Sequence, residues 1–357
     1  MIETTDRLDA ESLARFDDII DVRSPAEFAE DHVPGAINLP VLDNEQRAEV
    51  GTIYVRQSRF LARRVGAAHV ARNIAAHLDG PLADRPASYA PLIYCWRGGQ
   101  RSLAMATVLS QVGWRPSLAA GGYRTYRRAV TAALYDAERE PGLVLLDGYT
   151  GSAKTEVLHR LAALGVQVLD LEGLAGHRGS LFGGFAGRAQ PSQKMFESRL
   201  LLALGALDPA RPIVVEAESS KIGQIMVPPL LWRAMGRAPR IEVLAPRPAR
   251  ARYLVSAYAD LTADPAALAD ALAALPGRYG AKRVSEWSLM AEEGRFLELA
   301  ESLVEMHYDP AYERSSRRDE RPRLGTISME DLGAADLERA AGQIAGLVAA
   351  RGEPCGG

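Results

Sequence analysis

The chain has 357 residues, of which 47% are hydrophobic and 24% are charged, and its formal net charge at pH 7 is −3. This composition is typical of a globular protein with two domains, and the charge excludes a globally basic surface, so nucleic acid would have to bind a local patch. The two cysteines exclude a disulfide scaffold and a cysteine-rich metal site. The N-terminus has no basic region followed by an apolar stretch, and no apolar run is long enough to span a bilayer. We therefore expect no signal peptide, no membrane contact and a reducing, cytoplasmic location.

The first elements alternate short strands with helices. Residues 18–23 are predicted to form a strand, a helix capped by Ser24 follows, and a second short strand covers 36–40. Asp21 and Arg23, at the end of the first strand, are expected to form a structural ion pair rather than to act in catalysis.

A mostly helical stretch follows at 43–78, and it contains an arginine-rich segment. The arginines of this segment are Arg56, Arg59, Arg63 and Arg64. Taken alone they favour a solvated helix face, and the other interpretation is a local patch for nucleic-acid phosphates.

The central motif of the chain is the loop YCWRGGQRS at 94–102. A buried strand at 92–94 leads into the loop and a helix at 102–112 follows it, so Cys95 lies between a strand end and a helix N-terminus. The residues expected to bind an anion beside this cysteine are Arg97, Gly98, Gly99, Arg101 and Ser102. Backbone N–H groups, the helix dipole and the arginines would stabilise a thiolate, a persulfide or a selenium-loaded sulfur, so Cys95 is the predicted catalytic residue. The paired glycines and arginines disfavour the alternative of a buried structural cysteine.

A strand at 117–119 and a helix that ends near residue 137 complete this part of the chain. The segments DVRSPAEF at 21–28 and HVPGAINLP at 32–40, with the strand that ends in Cys95, resemble a rhodanese domain. That family has a small α/β fold whose cysteine carries a transferable sulfur. The spacing from Cys95 to Arg101 is one residue longer than in ordinary rhodaneses and equals that of cysteine phosphatases. Those enzymes usually have His before the cysteine and lack paired glycines.

A polar, turn-rich stretch at 138–142 predicts a domain boundary, with a rhodanese-like domain at 1–138 and a P-loop domain with a C-terminal helical segment at 139–357. A buried strand at 143–147 leads to GYTGSAKT at 148–155 and then to a helix, which is the context that a P-loop requires. The residues expected to bind phosphate are Gly148, Gly151, Ser152, Lys154 and Thr155. Ala153 replaces the last glycine of the pattern G-x-x-x-x-G-K-S/T, and alanine is the smallest substitution. An incidental lysine at a helix N-terminus is disfavoured in a chain with few lysines.

Three further residues are predicted to order the substrate or a metal ion. Arg178 lies in a glycine-rich loop at 176–185, and Glu216 and Glu218 end a buried strand at 212–219. Ion pairing with the many arginines remains an equal alternative for the two acids. The later elements are predicted to be strands at 166–170 and 240–244, a helix opened by Arg247, and helices at 265–275, 284–306 and 332–348. Cys355, in the tail, is given no role.

Together the two halves resemble the bacterial tRNA 2-selenouridine synthases over nearly the whole chain. The motifs that carry this resemblance are CWRGGQRS at 95–102, HRGS at 177–180, QPSQ at 190–193 and EAESSKIG at 216–223. The resemblance implies a cytoplasmic tRNA-modifying transferase that replaces the sulfur of wobble 2-thiouridine with selenium from selenophosphate. It also implies an S-geranyl-2-thiouridine intermediate, which is made with geranyl diphosphate.

The resemblance implies roles for both loops. Cys95 takes part in selenium delivery or exchange, its loop binds selenophosphate or the selenium anion, and the P-loop binds diphosphate or, alternatively, a nucleotide. We expect no tightly bound cofactor and no protein metal centre, with Mg²⁺ accompanying a diphosphate at Thr155. Two other interpretations stay open. A rhodanese-type sulfurtransferase with a nucleotide-binding regulatory domain needs no tRNA, and a tRNA-binding or signalling module with an inactive P-loop does not need Cys95.

Overall fold

A computed structural model describes residues 2–185, 187–275 and 277–352 of the chain, so Cys355 lies outside the described residues. The chain folds into two compact units. One contains the residues up to Asp136 together with Ser192–Gly205, and the other contains Ala137–Pro191 and the chain from Ala206 onward. Each unit is built on its own five-stranded sheet. None of the helices in the described residues combines the length and the apolar character that a membrane span requires.

The sheet of the first unit is entirely parallel, with the strand order β1-β5-β4-β2-β3. Its strands are β1 (Glu3–Thr5), β2 (Ile19–Asp21), β3 (Ala36–Asn38), β4 (Leu92–Tyr94) and β5 (Ser117–Ala119). Its helices are Ala10–Leu13, Pro25–Glu30, Asn44–Arg56, Arg59–Asp79, Gln100–Val112, Tyr123–Thr131 with a π-helical extension Ala132–Asp136, and Gln193–Gly205. The predicted strands and helices of this part are therefore confirmed, and β1 is an addition at the sheet edge.

One helix of the first unit, Gln193–Gly205, comes from sequence that follows the P-loop. The Ser198 hydroxyl donates to Asp31 Oδ1 at 2.8 Å, and Glu197, which is fully buried, pairs with Arg127. The Tyr123 hydroxyl donates to the other Asp31 oxygen at 2.7 Å. Buried charges of this kind require partners, so these contacts fix the helix on the first unit.

The main sheet of the second unit is also parallel, with the order β12-β11-β6-β8-β7, and β9 and β10 form a separate antiparallel hairpin. The strands are β6 (Leu143–Gly148), β7 (Gln167–Leu169), β8 (Ile213–Glu216), β9 (Lys221–Ile222), β10 (Ile225–Met226), β11 (Arg240–Leu244) and β12 (Arg323–Ser328). The α-helices are Lys154–Ala163, Leu171–Ala175, Pro229–Arg237, Arg247–Ala257, Ala259–Thr262, Pro265–Ala273, Gly280–Glu292, Phe296–Leu303, Asp309–Ser316 and Ala334–Gly352, and the shorter turns are Gly277–Tyr279 and Val304–Tyr308.

Three predictions for the second unit need correction. The helical stretch predicted at 284–306 is interrupted, because the chain turns at Gly294, whose φ of +70° separates the helix Gly280–Glu292 from the helix Phe296–Leu303. The C-terminal part is not purely helical, since β12 pairs with β11. That edge strand has a single buried residue, and its sequence has no apolar run that would have predicted it. The strand predicted at 212–219 is shorter, since β8 ends at Glu216 and the β9–β10 hairpin begins at Lys221.

The same arrangement positions both candidate loops. In each sheet the third strand in the order leads directly into the loop, β4 into Cys95 and β6 into residues 148–155. Every residue of β4 and β6 is buried, as expected for central strands of a parallel sheet that is covered on both faces. Ligands of such sheets bind beyond the carboxyl ends of the strands, which is where both loops lie. The predicted α/β fold class is confirmed.

Candidate functional site

Cys95 lies in a tight loop between β4 and the helix Gln100–Val112, and it is only 3% exposed. Its Sγ accepts a hydrogen bond from the Gly99 N–H at 3.2 Å, and the Ser102 hydroxyl lies 3.3 Å from the same sulfur. Gly98 has a φ of +65°, and a Cβ there would lie 2.9 Å from the Ala119 carbonyl oxygen. The loop can therefore close around the sulfur only with glycine at this position.

These contacts change the acidity of the cysteine. Burial by itself raises the pKa of the Cys95 thiol, but hydrogen bonds from the Ser102 side chain and from the N–H groups of Ser102, Gly99 and Arg97 outweigh burial and hold the pKa below its ordinary value. The Ser102 hydroxyl also lies 3.1 Å from the Gly99 carbonyl oxygen, and its one hydrogen serves either acceptor. Loss of the thiol proton draws that hydrogen to sulfur, so the loop favours the nucleophilic thiolate.

The two arginines of the loop have different surroundings. Arg101 donates to Glu27 Oε2 at 3.0 Å, and Arg47 lies 2.9 Å from the same oxygen. Arg97 is exposed, and its guanidinium has neither a hydrogen bond nor an ion pair within the described ranges. Although the sequence predicts anion binding by both arginines, the Arg101 guanidinium is held by Glu27, which it shares with Arg47. Arg97 is the loop cation that stays available to an incoming anion.

The predicted ion pair of Asp21 and Arg23 is confirmed. Arg23 Nη2 lies 2.6 Å from Asp21 Oδ2, both side chains are buried, and the guanidinium carbon is 4.0 Å from the centre of the Tyr123 ring. The backbone N–H of Tyr123 donates to the Cys95 carbonyl oxygen at 2.9 Å. The pair therefore supports the residue that holds the backbone of the cysteine, and its role is structural.

The loop at 148–155 has the form of a phosphate-binding loop in front of a helix. Lys154 Nζ donates to the Gly148 carbonyl oxygen at 2.9 Å, and the Ser152 hydroxyl donates to the Tyr149 carbonyl oxygen at 2.7 Å. Gly151 has a φ of +81°, and Ala153, which stands where the pattern has glycine, has a φ of +55°. The structure thus explains the glycine preference, because alanine adopts this left-handed conformation at a cost of about 1 kcal/mol.

Acidic residues face this loop. The Thr155 hydroxyl donates to Glu172 Oε2 at 2.9 Å. The five predicted phosphate-binding residues, Glu172, Arg178 and Glu218 all line one open cavity of about 1560 Å³. Arg178 is fixed there by Asp260, at 2.6 Å. Glu216 does not line the cavity. It is fully buried, and its Oε2 accepts from the Leu171 N–H at 3.1 Å.

Burial and neighbouring charges raise the pKa of two of these acids. Burial, and then the charges of Asp170 and Glu172, raise the pKa of Glu216 well above its ordinary value. Burial and the Glu172 charge raise the pKa of Glu218 to about 7, although the Lys154 charge acts in the opposite direction. No arginine in the described part of the chain pairs with either acid, so the ion-pair interpretation does not hold for this structure.

A pH dependence of stability follows from Glu218. Its folded-state pKa of about 7 exceeds the ordinary 4.5, so the proton stabilises the fold fully at low pH, and this contribution is lost as the pH rises through 7. We expect Glu218→Gln to be more stable than the wild type at pH 8, by about 2 kcal/mol after allowance for partial exposure, and similar to it at pH 4.5. Urea unfolding across this range measures the difference. The exposed-site control Glu45→Gln should show the same dependence of unfolding free energy on pH as the wild type. If the unfolding free energy of Glu218→Gln also runs parallel to that of the wild type across this pH range, the raised pKa assigned to Glu218 is contradicted.

The sequence analysis did not identify Glu172 as a site residue. It follows β7, and the parallel strands β6, β8 and β7 are neighbours, so the residues after all three meet at one edge of the sheet. The available signal was the acidic pair Asp170 and Glu172 directly after a predicted strand. That signal is weak, because acids often cap helices, and Asp170 does so here by accepting from the Gly173 N–H at 2.6 Å.

The fold and the two loops define an α/β protein that joins a rhodanese-type unit to a unit of the P-loop class. Residues 3–129 match the family model of the rhodanese-like domain, and residues 141–335 match that of the tRNA 2-selenouridine synthase AAA domain. The chain belongs to the tRNA 2-selenouridine synthase family.

Relatives named tRNA 2-selenouridine synthase support this assignment. The protein of Aeromonas salmonicida is 37% identical over 67% of this chain, and the matched region is 64% of that protein, which is less than two thirds of its length. The protein of Cupriavidus pinatubonensis is 31% identical over 82% of this chain and 87% of its own length. The protein of Pseudomonas putida is 32% identical over 92% of this chain and 84% of its own length.

Proposed function

We propose that this protein is a transferase that replaces the sulfur of wobble 2-thiouridine in tRNA with selenium from selenophosphate. The observation that carries the proposal is the Cys95 loop, in which a buried thiol of lowered pKa receives hydrogen bonds from Gly99 and Ser102. A loop that stabilises a sulfur anion also suits a selenium anion and the phosphate of selenophosphate. The relatives of this chain are named for the same product.

The proposed reaction has two steps, and the first activates the thiocarbonyl group. The sulfur of 2-thiouridine attacks the first carbon of geranyl diphosphate, the carbon–oxygen bond breaks, and diphosphate leaves with the electron pair while the ring nitrogen releases its proton. A thiocarbonyl sulfur is a poor leaving group, and alkylation makes it a good one. We assign this step to the P-loop, because its N–H groups and Lys154 are suited to hold a diphosphate.

The second step installs selenium. The selenium of selenophosphate attacks the modified carbon, the carbon–sulfur bond breaks, and geranylthiolate leaves with the electron pair. The Cys95 thiolate then attacks phosphorus, the phosphorus–selenium bond breaks with its electron pair on selenium, and water hydrolyses the resulting phosphocysteine to release phosphate. In this scheme Arg97 and the N–H groups of the loop bind the phosphate. This division of labour gives each anion-binding loop one of the two phosphate-bearing substrates.

Mg²⁺ fits the P-loop cavity as a companion of the diphosphate. The Thr155 hydroxyl and the Glu172 and Glu218 carboxylates are oxygen donors, which this ion prefers, and all three line the cavity. Within the described ranges no three His, Cys, Asp or Glu side chains are grouped as a protein-only metal site. The diphosphate would therefore supply part of the coordination, and Glu216, which is buried and does not line the cavity, would not take part.

The test of the function is nucleoside mass spectrometry. Purified protein, selenophosphate, geranyl diphosphate and 2-thiouridine tRNA should yield 2-selenouridine, and tRNA from cells without the gene should lack it. Transfer of sulfur from thiosulfate to cyanide, with no change in the tRNA, would favour the plain sulfurtransferase instead.

A helical hairpin of the first unit is the proposed tRNA contact. Its helices, Asn44–Arg56 and Arg59–Asp79, pack against each other, and Arg56, Arg59, Arg63 and Arg64 are all exposed near their junction. Phe60 is 76% exposed beside them. No ion pair in the described part of the chain compensates these four charges. Arginines and an exposed aromatic ring together suit RNA phosphates and bases better than a solvated face does.

Reversing these charges should weaken tRNA binding. We expect Arg→Glu changes at the four positions to lower the affinity for different tRNAs by similar factors, and to flatten the slope of log affinity against log salt by about 0.7 to 0.9 per lost phosphate contact. Filter binding between 50 and 200 mM salt measures both effects. Arg115→Glu, the same change outside the hairpin, is the control. Unchanged binding by the hairpin variants would mean that these arginines form only a solvated face.

A further inference from the structure

The first unit has a pocket of its own, separate from the P-loop cavity, and this pocket begins directly beside the Cys95 loop. It has a volume of about 490 Å³ and lies along the helix Tyr123–Thr131. The lining residues that matter here are Trp96, Tyr123, Arg124, Arg127, Arg128 and Lys194. The backbone N–H of Tyr123 donates to the Cys95 carbonyl oxygen at 2.9 Å and that of Arg124 donates to the Trp96 carbonyl oxygen at 3.2 Å. A ligand in this pocket is therefore a neighbour of the cysteine loop.

An aromatic platform forms one part of the pocket. The Trp96 ring is stacked on the Tyr123 ring, with 5.2 Å between their centres and 30° between their planes. Tyr123 is held in place, because its hydroxyl donates to the buried Asp31 at 2.7 Å and the Arg23 guanidinium packs over its ring. The indole is only half-buried although it is large and apolar. A rigid, partly exposed indole is a surface on which a planar base can stack.

Two of the basic side chains of the pocket form ion pairs with carboxylates of the protein, and two do not. Glu197 compensates Arg127, and Glu30, at 2.6 Å, compensates Lys194. The guanidinium groups of Arg124 and Arg128 have neither a hydrogen bond nor an ion pair with any described residue. The two arginines are four residues apart on one helix, so their side chains lie on the same face. Asp136 is the carboxylate among the lining residues, so with Arg124 and Arg128 the pocket keeps a net positive charge, which suits RNA phosphates.

We infer that this pocket binds a nucleotide of single-stranded RNA, with its base stacked on Trp96 and adjacent phosphates on Arg124 and Arg128. The inference deepens the proposed function and rests on it for the choice of RNA. An aromatic platform adds nothing to the binding of a free phosphate, which disfavours a small phosphate donor as the occupant. A base can stack on an indole only when it has left its own stack, which favours a loop over a duplex.

The test is the binding of a fluorescent seven-nucleotide single-stranded RNA to the full chain, measured by anisotropy at several salt concentrations. Trp96→Ala should weaken binding by about 5- to 150-fold with an unchanged salt slope, because it removes stacking and no charge. Arg124→Ala and Arg128→Ala should each weaken binding and reduce the slope by about 0.7. Trp96→Phe should retain most of the affinity, which separates loss of stacking from loss of folding. Arg115→Ala is the matched control, because Arg115 precedes β5 and so lies at the amino ends of the strands, opposite to the Cys95 loop.

Different outcomes separate this inference from the proposed function. Wild-type binding by Trp96→Ala, or an equal loss in Arg115→Ala, would overturn the inference. Loss of inorganic phosphate binding in the arginine variants with RNA binding unchanged would also overturn it and assign the pocket to a small phosphate. Selenouridine formation by a protein that fails the oligonucleotide test would leave the function standing without this site. Binding of the oligonucleotide with no selenouridine formed would support the pocket and refute the function.

Discussion

Replacement of Cys95 by alanine is expected to abolish selenium incorporation into tRNA while the first unit still folds. The side chain is small, and its loop keeps the glycine geometry and the β4 strand that form it, so the loss of stability should be about 1 kcal/mol. The reactive group is lost completely, because no second thiol lies in the described residues. S-geranylation should survive, since the attacking sulfur in that step belongs to the tRNA. Mass spectrometry of 2-selenouridine and of S-geranyl-2-thiouridine measures the loss of the first product and the survival of the second. Circular dichroism of the variant measures whether it still folds.

The second cysteine of the sequence provides the control for this variant. Cys355→Ala removes the same group from the tail and should leave both products at wild-type levels. The amount of selenouridine formed by Ser102→Ala should lie between the amounts formed by the two cysteine variants. The change removes one hydrogen bond to sulfur and so raises the pKa of the Cys95 thiol without removing the thiol. Wild-type amounts of selenouridine from Cys95→Ala would refute the assignment of this residue to the selenium step.

Replacement of Lys154 by alanine is expected to block S-geranylation. Negative charge grows on the departing diphosphate as its bond to carbon breaks, and the lysine charge and the loop N–H groups stabilise this charge more in the transition state than in the ground state. Loss of one such contact typically costs ~3 kcal/mol, or roughly a hundredfold in rate. In the structure Lys154 Nζ lies 2.9 Å from the carbonyl oxygen of Gly148, the first residue of the loop, so the ammonium group already lies beside the phosphate-binding backbone. Single-turnover formation of S-geranyl-2-thiouridine tRNA measures the loss.

The same variant distinguishes the two half-reactions. Given tRNA that is already geranylated, Lys154→Ala should accept selenium at close to the wild-type rate. Lys282→Ala, at an exposed position outside the P-loop cavity, is the matched control and should perform both steps. Normal geranylation by Lys154→Ala, combined with failure in the selenium step, would reverse the roles assigned to the two loops.

Local backbone preference allowed much of this protein to be predicted from the sequence. The buried runs of β4 and β6, the paired glycines after Cys95 and the pattern at 148–155 each specify a conformation with little help from distant residues. The mostly helical character of 43–78 and the helix after the cysteine were predicted for the same reason, because periodicity and capping act over a few residues. The lowered pKa of Cys95 also fits this account, since Gly99, Arg97 and Ser102 are its neighbours in sequence.

What the sequence could not decide is which charged groups meet. With 42 basic and 45 acidic residues, any arginine has many possible partners, and only the packing of distant segments selects one. Tertiary structure alone pairs Arg101 with Glu27, Thr155 with Glu172, and Arg127 with Glu197 on a helix that follows the P-loop in sequence. These pairings decide which cations stay available to a ligand. The physical reason is range: turn and helix formation depend on adjacent residues, whereas a buried charge is stabilised by whichever opposite charge the fold brings within a few ångströms.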